Sequence, residues 1–117
     1  MSAVNDIINS YYSLKPSQYG YLETFKLYRE ISKEGCSDYF LELQMRSTSD
    51  FRDPRRLFLS FSGIKELKIG NLEGLLSLLI DIRSIQEYQL ENVKYKVVES
   101  EYEAFSFLCL DIEAMVK

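Results

Sequence analysis

The sequence predicts a mainly β (α+β) domain. An N-terminal helix is followed by a six- to seven-stranded antiparallel meander, folded as a strongly bent sheet, a barrel or a two-layer sandwich. Three observations carry this. Apolar residues at helical spacing stop at a proline near the N-terminus; beyond it the apolar period switches to two; and short polar turns separate the alternating runs, which favours antiparallel neighbours. At 117 residues the chain is expected to form one domain with its own core. Residues 1–16 read as helix and linker, and residues 19–117 as the β domain.

Each element has a local reason. Val4, Ile7, Ile8, Tyr11 and Tyr12 share one helical face between Ser2 and Leu14, and Pro16 lacks the N–H needed to continue the helix. From Tyr21 to Ile31 the alternation is imperfect, with Tyr21, Glu23, Phe25, Leu27 and Arg29 expected on one face. Tyr39, Leu41, Leu43 and Met45 alternate cleanly with Phe40, Glu42, Gln44 and Arg46. The intervening SKEGCSD predicts a hairpin turn, and STSDFRDP (47–54) a loop. Leu57, Leu59 and Phe61 resume the alternation until Gly63, where a bulge or bend is expected. Gly70-Asn71 is the next turn, and the run Leu75–Ile85 is read as a strand. Val93, Tyr95, Val97 and Glu99 alternate before the turn SEYEA, and Phe105, Phe107 and Cys109 alternate after it. Apolar residues on both faces of this last strand predict a central position, or cover from the N-terminal helix.

Composition excludes much of the chemistry a domain of this size could carry. There is no histidine, so a serine or cysteine nucleophile has no histidine base, and His-containing zinc sites are absent. Two cysteines cannot make an all-thiolate zinc site. No Walker-A loop, GxGxxG, GxSxG, CxxC or HExxH occurs. No catalytic residue, metal or cofactor is therefore assigned. Cys36 and Cys109 are too few and too far apart in sequence for a disulfide framework. The first residues lack a basic segment followed by an apolar run, and no apolar stretch approaches the roughly 20 residues of a membrane helix. A cytoplasmic protein with reduced thiols and no membrane association is expected. The net charge of −4 arises entirely in residues 87–117, where seven acids oppose three lysines. That balance argues against nucleic acid as a partner and favours a cationic one.

Two charged clusters are candidate contact sites. The segment RSTSDFRDPRR holds Arg46, Arg52, Arg55 and Arg56 around Phe51. Guanidiniums beside an aromatic ring suit bidentate recognition of an anion, while Asp50 and Asp53 offer them internal partners in a solvated loop. Glu99, Glu101 and Glu103, in VESEYE, would line one face of a strand at roughly 6–7 Å spacing, or stand on an exposed turn. Tyr11, Tyr12, Tyr19 and Tyr21 are expected chiefly to lock the helix onto the sheet.

The blocks LFLSFSG (Leu57–Gly63), QLENVKYKVVESE (Gln89–Glu101) and FSFLCLDIE (Phe105–Glu113) resemble a group of small bacterial β-rich proteins, and some immunity proteins of polymorphic toxin systems are similar. The resemblance implies a bacterial, cytoplasmic, non-enzymatic module that binds another protein, in its sharpest form a toxin that it neutralises, and the acidic last third of the chain would suit a basic toxin domain. The residues leave two alternatives open: a small-molecule-binding or regulatory β domain, and a carboxylate-based enzyme. An exposed edge strand would also permit a homodimer.

Overall fold

The computed structural model describes residues 3–50, 52–73, 77–85 and 93–117. Helix α1 (Ala3–Ser13) ends where Lys15 takes a left-handed backbone (φ 56°) ahead of a 3-10 turn at Pro16–Gln18. The strands are β1 (Tyr21–Tyr28), β2 (Ile31–Ser32), β3 (Gly35–Cys36), β4 (Tyr39–Arg46), β5 (Arg56–Ile69), β6 (Ile80–Ser84), β7 (Tyr95–Glu99), β8 (Phe105–Cys109) and β9 (Asp111–Val116). Seven of them form one antiparallel sheet ordered β1-β4-β5-β8-β7-β6, with β9 also on β5. The small β2–β3 hairpin tips the β1–β4 connection where SKEGCSD predicts a turn.

The antiparallel sheet is the one predicted, and it is not closed into a barrel. Its strand order departs from a single meander at one connection. After β5 the chain crosses to the far edge, lays down β6, and returns through β7 and β8 to pair with β5. The sheet therefore has two halves that share β5. Residues 57–62 of β5 lie between β4 and β9, while Lys65, Lys68 and Ile69 pair with β8. Gly63, at φ 67°, marks the bend between them, as its place in the alternation predicts. A Cβ there would come within 2.8 Å of Leu110 Cβ, at the matching kink between β8 and β9.

Alternation puts Leu41, Leu43, Met45, Leu57, Leu59, Phe61, Ile80, Ile82, Tyr95, Val97, Phe107 and Cys109 in one core. Phe61 and Phe107 meet edge-to-face at its centre, with centroids 4.9 Å apart. Each such side chain contributes about 1.5–3 kcal/mol of burial. The facing predicted for β1 needs correction. A bulge between Leu22 and Thr24 shifts the phase, so Leu22, Phe25 and Leu27 oppose Met45, Leu43 and Leu41, while Tyr21 opposes Arg46 on the outer face. Leu75 and Leu76, in the run read as a strand, lie outside the described residues; Ile80–Ser84 is the part seen as strand.

Helix α1 packs against β6 and β9. The Tyr11 hydroxyl, buried, donates to Ile80 O at 2.6 Å, and the Tyr12 hydroxyl accepts from Ile82 N at 3.1 Å. Burial, with Tyr12 and Asp81 nearby, pushes the Tyr11 phenol far above its ordinary range. Tyr19 is buried as well. The two ends of the sheet meet near Gly20, whose carbonyl accepts from Leu78 N at 2.8 Å. A Cβ on Gly20 would lie 2.6 Å from Thr48 Cγ2 and 3.1 Å from Leu78 O.

Candidate protein-binding surface

The arginine loop joins β4 to β5, and each of its arginines has an acidic partner. Arg52 reaches Asp50 at 3.4 Å and Arg55 reaches Asp53 at 2.7 Å. Hydrogen bonds from the Arg55 side chain and backbone hold the Asp53 carboxyl down to about 2. Arg46 and Arg56 sit directly opposite one another on β4 and β5. Glu23, in the β1 bulge, bridges the pair at 3.3 and 2.8 Å. Phe51 lies outside the described residues. The loop tip is exposed, Arg52 most of all.

The acidic cluster is divided. Glu99 is the inward end of the β7 alternation and is 1% exposed, whereas Glu101 and Glu103 stand on the exposed turn to β8. The Glu99 carboxylate accepts backbone N–H groups from Leu79 (3.0 Å), Glu101 (2.9 Å), Tyr102 (2.7 Å) and Ala104 (3.2 Å). Burial opposes its charge, but the four donors prevail and its pKa is lowered. This carboxylate ties the β7–β8 turn to the segment entering β6. An anion so fully hydrogen-bonded is a poor proton donor at neutral pH.

Both cysteines are free, Cys36 exposed and Cys109 buried. Burial, and secondarily Asp111, push the Cys109 thiol up to about 12, so it behaves as a small apolar side chain. Among the described residues no helix is long and apolar enough to cross a membrane.

Between them the two halves of the sheet present outer faces of different character. On β4–β5–β9 the cross-strand rows read Phe40–Ser62–Asp111 and Glu42–Ser60–Glu113. Of these, Phe40, Ser60, Ser62, Asp111 and Glu113 line an open groove of about 400 Å³ together with Tyr28. Tyr28 stacks on Phe40 at 5.3 Å and donates to Glu42 at 3.1 Å. On β5–β8–β7–β6 the rows read Lys65–Leu108–Lys96–Arg83 and Lys68–Ser106–Val98–Asp81. Sequence reasoning singled out none of these residues as site residues. Their common signal is that each holds an outward position of an alternating strand.

With this geometry in view, the chain matches the family described as Immunity protein PIM8 over residues 3–115. It belongs to that family. Comparison with curated proteins and with solved structures gave no match. Membership in the PIM8 immunity proteins supports the resemblance read from the strand blocks, and it implies an immunity-type role in which the chain binds another protein, a toxin. It also favours a non-enzymatic role over the carboxylate-enzyme alternative.

Proposed function

We propose that this PIM8-family protein neutralises a toxin domain in the bacterial cytoplasm by direct, one-to-one binding, and that the toxin presents a basic surface to the β4–β5–β9 face. The observation that carries this reading is the family match over nearly the whole chain. It is supported by the groove in which Asp111 and Glu113 flank hydroxyls and stacked aromatic rings, with Glu42 beside it on the Tyr28 hydroxyl, an arrangement suited to lysine or arginine side chains of a partner. Glu99 takes no part in this contact, because its carboxylate is spent on backbone donors. Arg52 and Arg55 remain candidate contacts at the loop tip, since both are exposed. A homodimer through β1 is disfavoured, because the β1 edge carries a bulge and Lys26, two features that blunt edge pairing.

The test is titration of the purified chain into its toxin domain, by calorimetry and by residual toxin activity, at low and high salt. A stoichiometric complex whose association slows as salt rises is expected. The triple reversal of Glu42, Asp111 and Glu113 to lysine should weaken it at least tenfold. A toxin that stays fully active beside excess chain, with no complex formed, would sink the reading.

A further inference from the structure

Among the described residues the sheet twice sets two cations directly opposite each other on neighbouring strands, and an ion pair neutralises only one of the pairs. Arg46 and Arg56 share Glu23. Arg83 on β6 and Lys96 on β7 are cross-strand partners in the same way, yet among the described residues neither forms an ion pair. Both are exposed. Like charges directly opposite destabilise a sheet, so this arrangement works against folding in the free protein.

The surroundings extend the cationic character. Leu108 continues the row to Lys65, and Lys68 stands in the next row beside Ser106. Lys65 is partly neutralised by Asp38 at 2.8 Å, which leaves Arg83, Lys96 and Lys68 as the cations of this face without an ion pair among the described residues. Half-buried Val98 and Leu108 provide an apolar floor. A groove of about 540 Å³ at one end is lined by Lys68, Arg83, Val98, Ser100 and Ser106.

We infer that the outer face of β6–β7–β8, centred on Arg83 and Lys96, is a docking surface for an extended acidic protein segment, which on the reading above belongs to the toxin. The span from Arg83 across three strand spacings to β5, which carries Lys68 in the adjacent row, is roughly 14 Å, and carboxylates four residues apart on an extended chain are separated by about the same distance. A peptide also suits the face better than a nucleic acid does. Asp81 lies in the adjacent row, and Glu103 lines the groove. A uniformly charged phosphate backbone would meet both carboxylates, whereas spaced side chains can pass them. The toxin surface inferred is then bipolar, basic where it meets β4–β5–β9 and acidic where it meets β6–β8.

The probe is a fluorescein-labelled peptide of about twelve residues alternating glutamate and alanine, read by anisotropy against the full chain at low salt. A glutamine–alanine peptide and an oligothymidylate of equal length serve as comparators. The acidic peptide should bind best, and the Arg83→Gln/Lys96→Gln double variant should bind it at least tenfold more weakly. Lys96→Glu should abolish binding while raising the melting temperature at low salt, because Arg83 then gains the counter-charge it lacks. That opposite movement of affinity and stability is not expected of a variant that merely unfolds. Equal peptide affinity for wild type and double variant, no binding by wild type, or tighter binding of the oligothymidylate each overturns the inference. So does undiminished toxin neutralisation by the double variant. If wild type binds the peptide but fails to neutralise the toxin, the toxin reading falls and the acidic docking surface stands.

Discussion

The pairs Arg46–Arg56 and Arg83–Lys96 occupy equivalent situations in the two halves of one sheet, and among the described residues only the first carries its own anion. Glu23 reaches both arginines because the β1 bulge inserts an extra residue where β1 passes Arg46. At β6 no neighbouring strand among the described residues supplies such a residue on the outer side, since β6 ends the strand order and the edge is met by α1. The comparison teaches that charge placement on this sheet is not a by-product of composition. One half resolves its repulsion internally, and among the described residues the other holds no counter-charge, which on the inference above a partner would supply.

The largest expected effect removes the scaffold beneath the unresolved half. Glu99→Gln keeps the shape of the side chain but turns one oxygen into an amide that cannot accept a hydrogen bond. The donors that oxygen served are orphaned, at about 3 kcal/mol in all, which a denaturant titration would measure. The same carboxylate sets an acid limit. Its folded pKa is lowered, so its stabilisation is fully present above the ordinary glutamate value of about 4.3 and is lost as pH falls towards the folded value. Wild type should lose stability over that acid range, and Glu99→Gln should lose less.

Gly20→Ala tests the seam that joins the two ends of the sheet. The added methyl meets Thr48 Cγ2 at 2.6 Å and the Leu78 carbonyl at 3.1 Å, and the overpacking should cost about 1–3 kcal/mol, seen as a lower melting temperature. A smaller change makes the halves alike. Glu23→Gln leaves Arg46 and Arg56 opposed without a counter-charge, and the loss should be about 0.5–1 kcal/mol at low salt, shrinking as salt is added. If Glu23→Gln melts as wild type does, the bridged pair is no better off than the unbridged one and the comparison loses its meaning. Smallest of all is Arg55→Ala. Its exposed pair with Asp53 should leave the melting temperature unchanged, so any loss of toxin affinity in this variant would be a contact effect.

Much of this architecture is written in the alternation. The inward rows of β4, of the first part of β5, and of β7 and β8 are legible residue by residue, and Pro16 with the apolar face before it marks the helix. Even the inward position of Glu99 follows from Val93, Tyr95 and Val97. What the pattern hides is that a buried carboxylate is tolerable only where backbone donors converge, and their convergence depends on the turn at Glu101–Ala104 and on Leu79 arriving from a crossover. The crossover is itself illegible, because short turns make every neighbour equally plausible and nothing local says that β8 rather than β6 will lie beside β5. The face of β1 is obscured by one bulged residue, which inverts the remainder of the strand. β9 escapes notice because Asp111, Glu113 and Met115 alternate only with Ile112, Ala114 and Val116 beyond a kink at Leu110. The outer faces escape for a different reason. Residues 65, 83, 96 and 108 are far apart in the chain and become one surface only through register.

The attachment of α1 has a consequence for the order in which the molecule assembles. Tyr11 is made early, yet the carbonyl it binds, at Ile80, is 69 residues further along the chain. At about 5–20 residues per second, Tyr11 therefore waits on the order of several seconds for this partner. A helix of 11 residues is marginal by itself in water, so α1 is fixed only once β6 is in place although it precedes every strand in the chain. Until it docks, the Ile82 N–H and the Ile80 carbonyl on the outer side of β6 stand open to any passing strand. The β6 edge therefore depends on the two tyrosines for its cover, and a chain that lacked them would present a free pairing edge.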